Sequence, residues 1–525
     1  MAEQSVLAAS AWTRRGLDAL SATVPTADDR ESVAVRAPAT GEQIGAVPAC
    51  RPPDVAAAVE RARDTGEAWC DRSVDERAAV LRRFGRAVLE DRERLLDLLQ
   101  LETGKARRDA LEEVLDVATT ASYYAAAGPD VLADETRRGA VPGATTARVR
   151  HEPVGTVGAI SPWNYPLTLS VSDALPALLA GCPVICKPDA KTPFVALALA
   201  EYLREAGLPA DAFRVVTGEG GIVGPALVES VDYVAFTGST ETGRDVAARA
   251  GRHLVDCSLE LGGLNPMLVL RGADVETAAR GAVRACFSNA GQLCLSVERI
   301  YVHEDRYEAF LDAFVGATRD LSLGTGLDYG ADVGSLIGAD QRARVESHLA
   351  DAVERGASVL TGGRHRADVA PHAFEPTVLT DLPAGATAAD EETFGPVVAV
   401  HRVADADAAV AAANDSEYGL HASVWAGDRE RGRAVARGVD CGTVCVNDAY
   451  VAAWSALDAP MGGTGNSGIG RRHGPEGLRR YLDPRTVAVS RVGPLDAPRW
   501  LPDGLFRRGA VGAARLQQAL DRWFR

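Results

Sequence analysis

Cys294 ends the segment Phe287-Ser288-Asn289-Ala290-Gly291-Gln292-Leu293-Cys294. A thiolate attacks carbonyl carbon readily, and the thioester it forms can be released in a second step. A single cysteine is more often a small buried hydrophobe, so its companions decide. Glu260 lies 34 residues upstream in the apolar segment Leu259-Glu260-Leu261-Gly262-Gly263. A carboxylate in such a segment has a partner or a task, and one held beside a thioester could deprotonate water. Asn164 sits between the two prolines of Ser161-Pro162-Trp163-Asn164-Tyr165-Pro166. Prolines stiffen the backbone on both sides, and a fixed amide can donate to a developing oxyanion. The run Phe236-Thr237-Gly238-Ser239-Thr240-Glu241-Thr242-Gly243 follows a predicted strand and opens a helix, where free backbone N–H groups could receive a pyrophosphate. Its glycine spacing is a weak phosphate signature alone. Glu391-Glu392-Thr393-Phe394-Gly395-Pro396 adds a second acid–aromatic turn.

These groups need a scaffold of some size. The 525 residues exceed one ordinary hydrophobic core and point to two or three units. The stretch 53–100 has helical spacing of its apolar residues. From about 153, short apolar runs at 154–160, 183–186, 212–216 and 231–236 alternate with helical segments such as 193–206. That alternation predicts strand–helix–strand units and a parallel sheet. A second alternating region runs from about 264 to 450, with strands at 266–270, 299–302, 359–361, 397–402 and 442–447. The fold class is therefore α/β. Two further strands, at 147–151 and 486–491, stand apart and need a partner, which could be a second subunit.

Composition narrows the partners. The formal net charge of −16 disfavours nucleic acid, because phosphate binding needs positive faces. Only Lys105, Lys187 and Lys191 are lysines among 56 basic residues, which draws attention to the pair at 187 and 191. Nine scattered cysteines with no CxxC pair give no support to zinc or a redox dithiol, and no metal is expected. Free thiols fit a reducing cytoplasm, and no secretory signal or membrane-spanning run is visible.

Taken in order, the motifs are similar to those of the aldehyde dehydrogenase superfamily from about residue 35 to about 488. The likeness also covers Pro153-Val154-Gly155-Thr156-Val157-Gly158, Gly181 to Pro188, Ala413 to Leu420, and Gly465 to Leu478. It implies a Rossmann-like cofactor domain (1–137 and 153–260), a catalytic domain (261–450), oligomerisation strands (138–152 and 484–492) and a C-terminal extension (493–525). It also implies a homodimer or homotetramer, and the oxidation of a small aldehyde through a thioester on Cys294. Asn164 would hold the oxyanion and Glu260 would activate water. The cofactor would touch Ser161, Pro162, Trp163, Lys187, Ala190, Lys191, Gly238, Ser239, Gly243, Leu261, Glu392 and Phe394. Where NAD-preferring relatives often carry Glu, this chain has Ala190 followed by Lys191, which favours NADP over NAD despite Asp189.

The chain most resembles the second type of bacterial succinate-semialdehyde dehydrogenase, through stretches such as Arg471-Arg472-His473-Gly474-Pro475-Glu476-Gly477-Leu478. The two arginines that bind the substrate carboxylate in the better-known type fall at Ser172 and Ser288 here. A broader aliphatic or aromatic aldehyde is thus the competing substrate. A CoA-acylating relative usually lacks the glutamate. A cysteine hydrolase would need a histidine beside Cys294, and the nearest in sequence are His253 and His303. Residues 505–525 form a basic stretch with Leu516, Leu520, Trp523 and Phe524 at helical spacing, read as a helix on the enzyme's own acidic surface or on a membrane.

Overall fold

The computed structural model describes residues 6–27, 30–138, 145–491 and 501–523, with backbone only at 138, 516–517 and 520–523. The chain forms two compact units, Met1–Val131 with Pro153–Tyr481, and Leu132–Glu152 with Leu482–Arg525.

Two sheets organise the larger unit. The first has six strands in the order Gly468–Ile469, Asp256–Glu260, Tyr233–Thr237, Val157–Ser161, Val184–Pro188 and Phe213–Val215. The last five are mutually parallel, and Gly468–Ile469 runs antiparallel on the edge. Successive strands spread in opposite directions from Val157–Ser161, so strand order reverses between Val157–Ser161 and Tyr233–Thr237. A crevice opens outside the carboxyl ends of strands at such a reversal, and ligands of open α/β sheets bind there. The second sheet orders seven strands as Ser358–Thr361, Thr377–Thr380, Val397–Val403, Val297–His303, Asn265–Val269, His421–Trp425 and Thr443–Val446. All are parallel but the first.

Strand ends moved by a few residues from their predicted places. The run at 154–160 starts as a strand only at Val157, because Gly155 turns with φ +116° and Val154 donates to Tyr481. Asp256–Glu260 went unpredicted, and it puts Glu260 at the end of a strand, 8% exposed. Also unpredicted is the helix Arg107–Val131, which buries Ala110, Val114, Val117 and Ala121 together with Asp109, Glu113, Asp116 and Thr120. Buried polar residues on its inner face break the apolar stripe that periodicity relies on.

In the smaller unit the strands Glu135–Arg138, Thr145–Pro153 and Leu482–Ser490 form one sheet with Thr145–Pro153 in the middle and antiparallel to Glu135–Arg138. The two isolated strands of the sequence reading thus find partners within the same chain, which meets the need for a partner without a second subunit. The third strand, Glu-Thr-Arg-Arg, shows no apolar alternation and gives no sequence signal. Asp503–Trp523 is helical, as the spacing of its apolar residues predicts. Leu516, Leu520, Trp523 and Phe524, which define its proposed apolar face, lie outside the described side chains. No helix among the described residues is long and apolar enough to cross a membrane.

Candidate active site

A cleft of about 630 Å³ lies outside the carboxyl ends of the first sheet's strands and is lined by Asn164, Glu260 and Cys294 together. Asn164 and Glu260, 130 and 34 positions before Cys294, have been brought to one wall with it.

Cys294 precedes the strand Val297–His303 and follows a turn in which Asn289 (φ 51°) and Ala290 (φ 54°) take left-handed conformations. Such backbone costs about 1–3 kcal/mol per residue and persists only where the surroundings enforce it. Here Asn289 N–H donates to Asp109 at 3.0 Å, and its side chain donates to Asn164 O and Gln292 O, each at 3.0 Å. Asn265 holds the other side, donating to Cys294 O at 2.7 Å and to Ser296 O at 2.8 Å. Burial pushes the Cys294 thiol up to about 12; Arg472 opposes that rise, and Glu260 and Glu392 add to it. At neutral pH the sulfur is a thiol and needs an acceptor for its proton.

Glu260 is such an acceptor. Burial lifts its carboxyl to about 7, against the pull of Arg472. Its Oε1 has no hydrogen-bond partner, which leaves it free for a reacting group. The glycines that follow are explained by crowding. A Cβ on Gly262 would lie 2.6 Å from the Glu392 carboxylate, and one on Gly263 would lie 3.2 Å from Cys294 O. Asn164 spends one amide hydrogen on Gln292 O at 3.1 Å, which fixes its plane and leaves the second. Its carbonyl accepts from Lys105 Nζ at 2.7 Å, and Lys105 pairs with fully buried Glu113.

The cofactor side begins at Ser239. It caps the helix Thr240–His253 by accepting from Thr242 N–H, and Thr240 and Glu241 of the first turn line the cleft. A helix N-terminus at the end of a parallel strand suits a pyrophosphate through its free donors and positive dipole end. Pro162, Trp163, Gly238, Leu261, Glu392 and Phe394 also line the cleft. Trp163 and Phe394 meet edge to face at 5.5 Å between ring centres. Phe394 has φ 54°, and Glu298 secures its loop by accepting from Thr393 N–H at 2.7 Å and Phe394 N–H at 2.8 Å. Glu392 accepts from Gly263 N–H at 3.1 Å.

Five predicted positions are not among the residues that line this cleft. Ser161 is buried at the strand end and Gly243 is buried in the helix, where a Cβ would strike Leu261. Lys187 donates to Pro188 O at 2.9 Å and is almost fully buried, which lowers its pKa. Ala190 is partly exposed and Lys191 exposed, with Lys191 Nζ 5.8 Å from the centre of the Trp163 ring. Asp189 turns back to accept from Lys191 N–H at 2.9 Å.

Sequence reasoning missed the charges behind the reactive groups. Arg472 and Arg480 both pair with Asp173, and all three side chains are buried. It also passed over Lys105, although that residue is one of only three lysines. No histidine lines the cleft, so the partner that a cysteine hydrolase requires is missing from it. Among the described residues no three or more His, Cys, Asp or Glu are grouped to hold a metal ion.

Over most of its length the chain is similar to known proteins. A Mycobacterium ulcerans (strain Agy99) protein, provisionally named succinate-semialdehyde dehydrogenase (NADP(+)) 2, is 47% identical over 494 residues, covering 94% of this chain and 95% of its own. The NADP(+) succinate-semialdehyde dehydrogenase of Escherichia coli (strain K12) is 37% identical over 468 residues, 88% of this chain and 95% of its own. The crystal structure of succinate-semialdehyde dehydrogenase from Burkholderia pseudomallei superposes with a TM-score of 0.85 at 36% identity, over 89% of this chain and 96% of that one. The model of the aldehyde dehydrogenase family matches residues 25–487, and the chain belongs to that family.

Proposed function

We propose that this enzyme oxidises succinate semialdehyde to succinate with NADP through a covalent thioester on Cys294. The observation that carries the chemistry is the convergence of Cys294, Asn164 and Glu260 on one cleft with an open helix N-terminus. The dinucleotide fits the residues present. Ser239 and the helix start would take the pyrophosphate, Lys187 and Glu392 the ribose hydroxyls, and Phe394 would flank the nicotinamide. When bound, the nicotinamide accepts the hydride released from the substrate carbon.

The chain's own groups do the rest. Glu260 accepts the thiol proton as Cys294 Sγ bonds to the carbonyl carbon. The oxyanion that forms accepts hydrogen bonds from the free Asn164 amide hydrogen and from the Cys294 backbone N–H, donors worth about 10²–10³ in rate each. Once the thioester exists and Glu260 has passed its proton to solvent, Glu260 takes a proton from water. The water oxygen attacks the thioester carbon, the C–S bond breaks, and the carboxylate leaves. Hydrolysis, and not transfer to CoA, follows from a carboxyl with a free oxygen at this place.

NADP preference is supported by the cationic Lys191 beside Ala190, with the Asp189 carboxylate engaged by the Lys191 backbone N–H. The relatives' names support succinate semialdehyde. One observation favours a second reading, an aldehyde without a carboxylate. Ser288 accepts from Tyr450 OH at 3.0 Å and donates to Arg284 O, and the nearby Arg284 is already paired with Glu112 at 2.6 Å. Reduction of NADP and NAD followed at 340 nm, with succinate semialdehyde, propanal and benzaldehyde, separates them. A higher kcat/KM for propanal would overturn the substrate, and a higher one with NAD would overturn the cofactor. Leu482–Ser490 exposes Val487 and Val489 on one face of an edge strand, which supports pairing between subunits in a homodimer or homotetramer. Light scattering after size exclusion would overturn that by showing a monomer. The scattered cysteines, with no CxxC pair among them, support a reducing, cytoplasmic setting.

A further inference from the structure

The ion cluster behind Glu260 carries an inference that rests on the role proposed above for that residue. Asp173 accepts from Arg472 Nη2 at 3.0 Å and from Arg480. Arg472 Nη2 also lies 3.0 Å from Thr237 Oγ1, at the end of the strand next to that of Glu260. Two guanidinium groups on one carboxylate leave a buried excess of one positive charge. Buried charge is costly unless compensated, and compensation here must come from nearby. Arg472 Nε and Glu260 Oε1 are both buried and both without a hydrogen-bond partner. Gly462, next to the Met461↔Arg472 bridge, is close enough that its Cβ would lie 3.1 Å from Glu260 Oε1. The groups facing Glu260 from packed elements are Arg471, Arg472 and Arg480 from the 471–480 segment, Asp173 from the start of its helix, and Cys294 from its turn. His473 faces Arg472, Asp173 and Arg480 and stays neutral, its pKa lowered to about 3 by burial.

We propose that Arg472 is an electrostatic positioning residue, whose charge, only partly offset by Asp173, favours the carboxylate form of Glu260 and eases deprotonation of Cys294. The cluster of Arg472, Arg480, Asp173 and Glu260 sums to zero only when Glu260 is a carboxylate. Taking a proton leaves it one positive charge in excess, so Arg472 makes Glu260 a weaker base but a more populated one. Among charged groups, Arg472 is also the strongest opponent of burial at both Glu260 and Cys294. Arg480 acts from further back by holding Asp173, so that Arg472 is only half spent on that carboxylate.

The test is the pH profile of kcat/KM with NADP and succinate semialdehyde, beside the pH dependence of Cys294 alkylation by iodoacetamide read by mass spectrometry. In Arg472→Gln, Asp173 keeps Arg480 and no buried charge is stranded. Its acid limb and its alkylation curve are expected to move upward by about one to three pH units, the range for loss of an adjacent opposite charge. Arg472→Lys should restore much of both. Asp173→Asn removes a negative charge from the same cluster and should shift the limb downward, which decides the matter even if Arg472→Gln fails to fold. A uniform fall in kcat across pH with both curves unmoved would reduce Arg472 to a structural role and overturn the proposal. Glu260→Gln separates the two readings. If it leaves hydrolysis intact, the role of Glu260 is wrong, while the alkylation arm still reports on Arg472.

Discussion

Four buried glutamates and the partly buried Glu392 divide into two kinds. Glu102 accepts from Phe194 N–H and Val195 N–H at 2.7 and 2.8 Å, Glu113 from Leu167 N–H and Thr168 N–H at 2.8 and 3.2 Å, and Glu298 from Thr393 N–H and Phe394 N–H at 2.7 and 2.8 Å. Each seats two successive backbone amides. Glu392 by contrast takes one amide, and Glu260 keeps an oxygen with no partner. Burial raises the carboxyl in both kinds, to about 8 in Glu102, about 7 in Glu298, about 7 in Glu260 and about 8 in Glu392. Proton affinity therefore does not tell a scaffold carboxyl from a reactive one. The hydrogen bonds do, because both oxygens of Glu102, Glu113 and Glu298 already accept from the protein, whereas Glu260 keeps one oxygen with no partner.

The contrast can be broken by exchange. Removing the nucleophile sets the scale: Cys294→Ala should abolish cofactor reduction at 340 nm, a loss on the order of 10⁶ by the precedent of other covalent nucleophiles. Glu260→Gln should slow thioester hydrolysis by about 10²–10⁴ and lower the melting temperature less than Glu113→Gln does. Because the Glu260 carboxyl is held at about 7, the working carboxylate is present above that pH, and the intact enzyme should lose rate as pH falls through it. Glu260→Gln should erase that limb, and a limb that survives would assign it elsewhere. Asn164→Ala should cost about 10²–10³ in kcat with KM little changed.

Glu113→Gln should reverse the pattern. It strands the Lys105 charge in the core, a loss of about 3–5 kcal/mol in stability measured by thermal or denaturant unfolding. If Glu113→Gln and Glu260→Gln lowered stability alike, the division between seated and free glutamates would collapse. The smallest effect is expected at the rim, where Lys191→Ala should lower the NADP-to-NAD ratio of kcat/KM by a few-fold, as for an exposed charge worth about 0.2–1 kcal/mol.

Much of the proposed reactive set was legible early because chemistry leaves local marks. Glu260 stands alone in an apolar run, Asn164 stands between prolines, and Ser239 stands where a strand meets a helix. Glu113 left no such mark. Its helix carries buried acids on its inner face, and the lysine that neutralises it sits eight residues away across a turn. Lys105 could have been noticed as one of three lysines in an arginine-rich chain, since a compact ammonium suits a small buried pocket. Nothing local predicts that Arg472 would sit behind Glu260, 212 positions earlier in the chain.

By itself the sequence determined the α/β class, the alternation that builds two parallel sheets, and the identities of the cysteine, glutamate and amide. Those follow from periodicity and side-chain chemistry, which short stretches carry whole. The tertiary structure alone decided which of the buried carboxyls is free, which charges face it, and that the two outlying strands pair within one chain. Hydrogen-bond saturation and Coulomb interaction depend on distances between groups far apart in sequence, and only the folded chain fixes those.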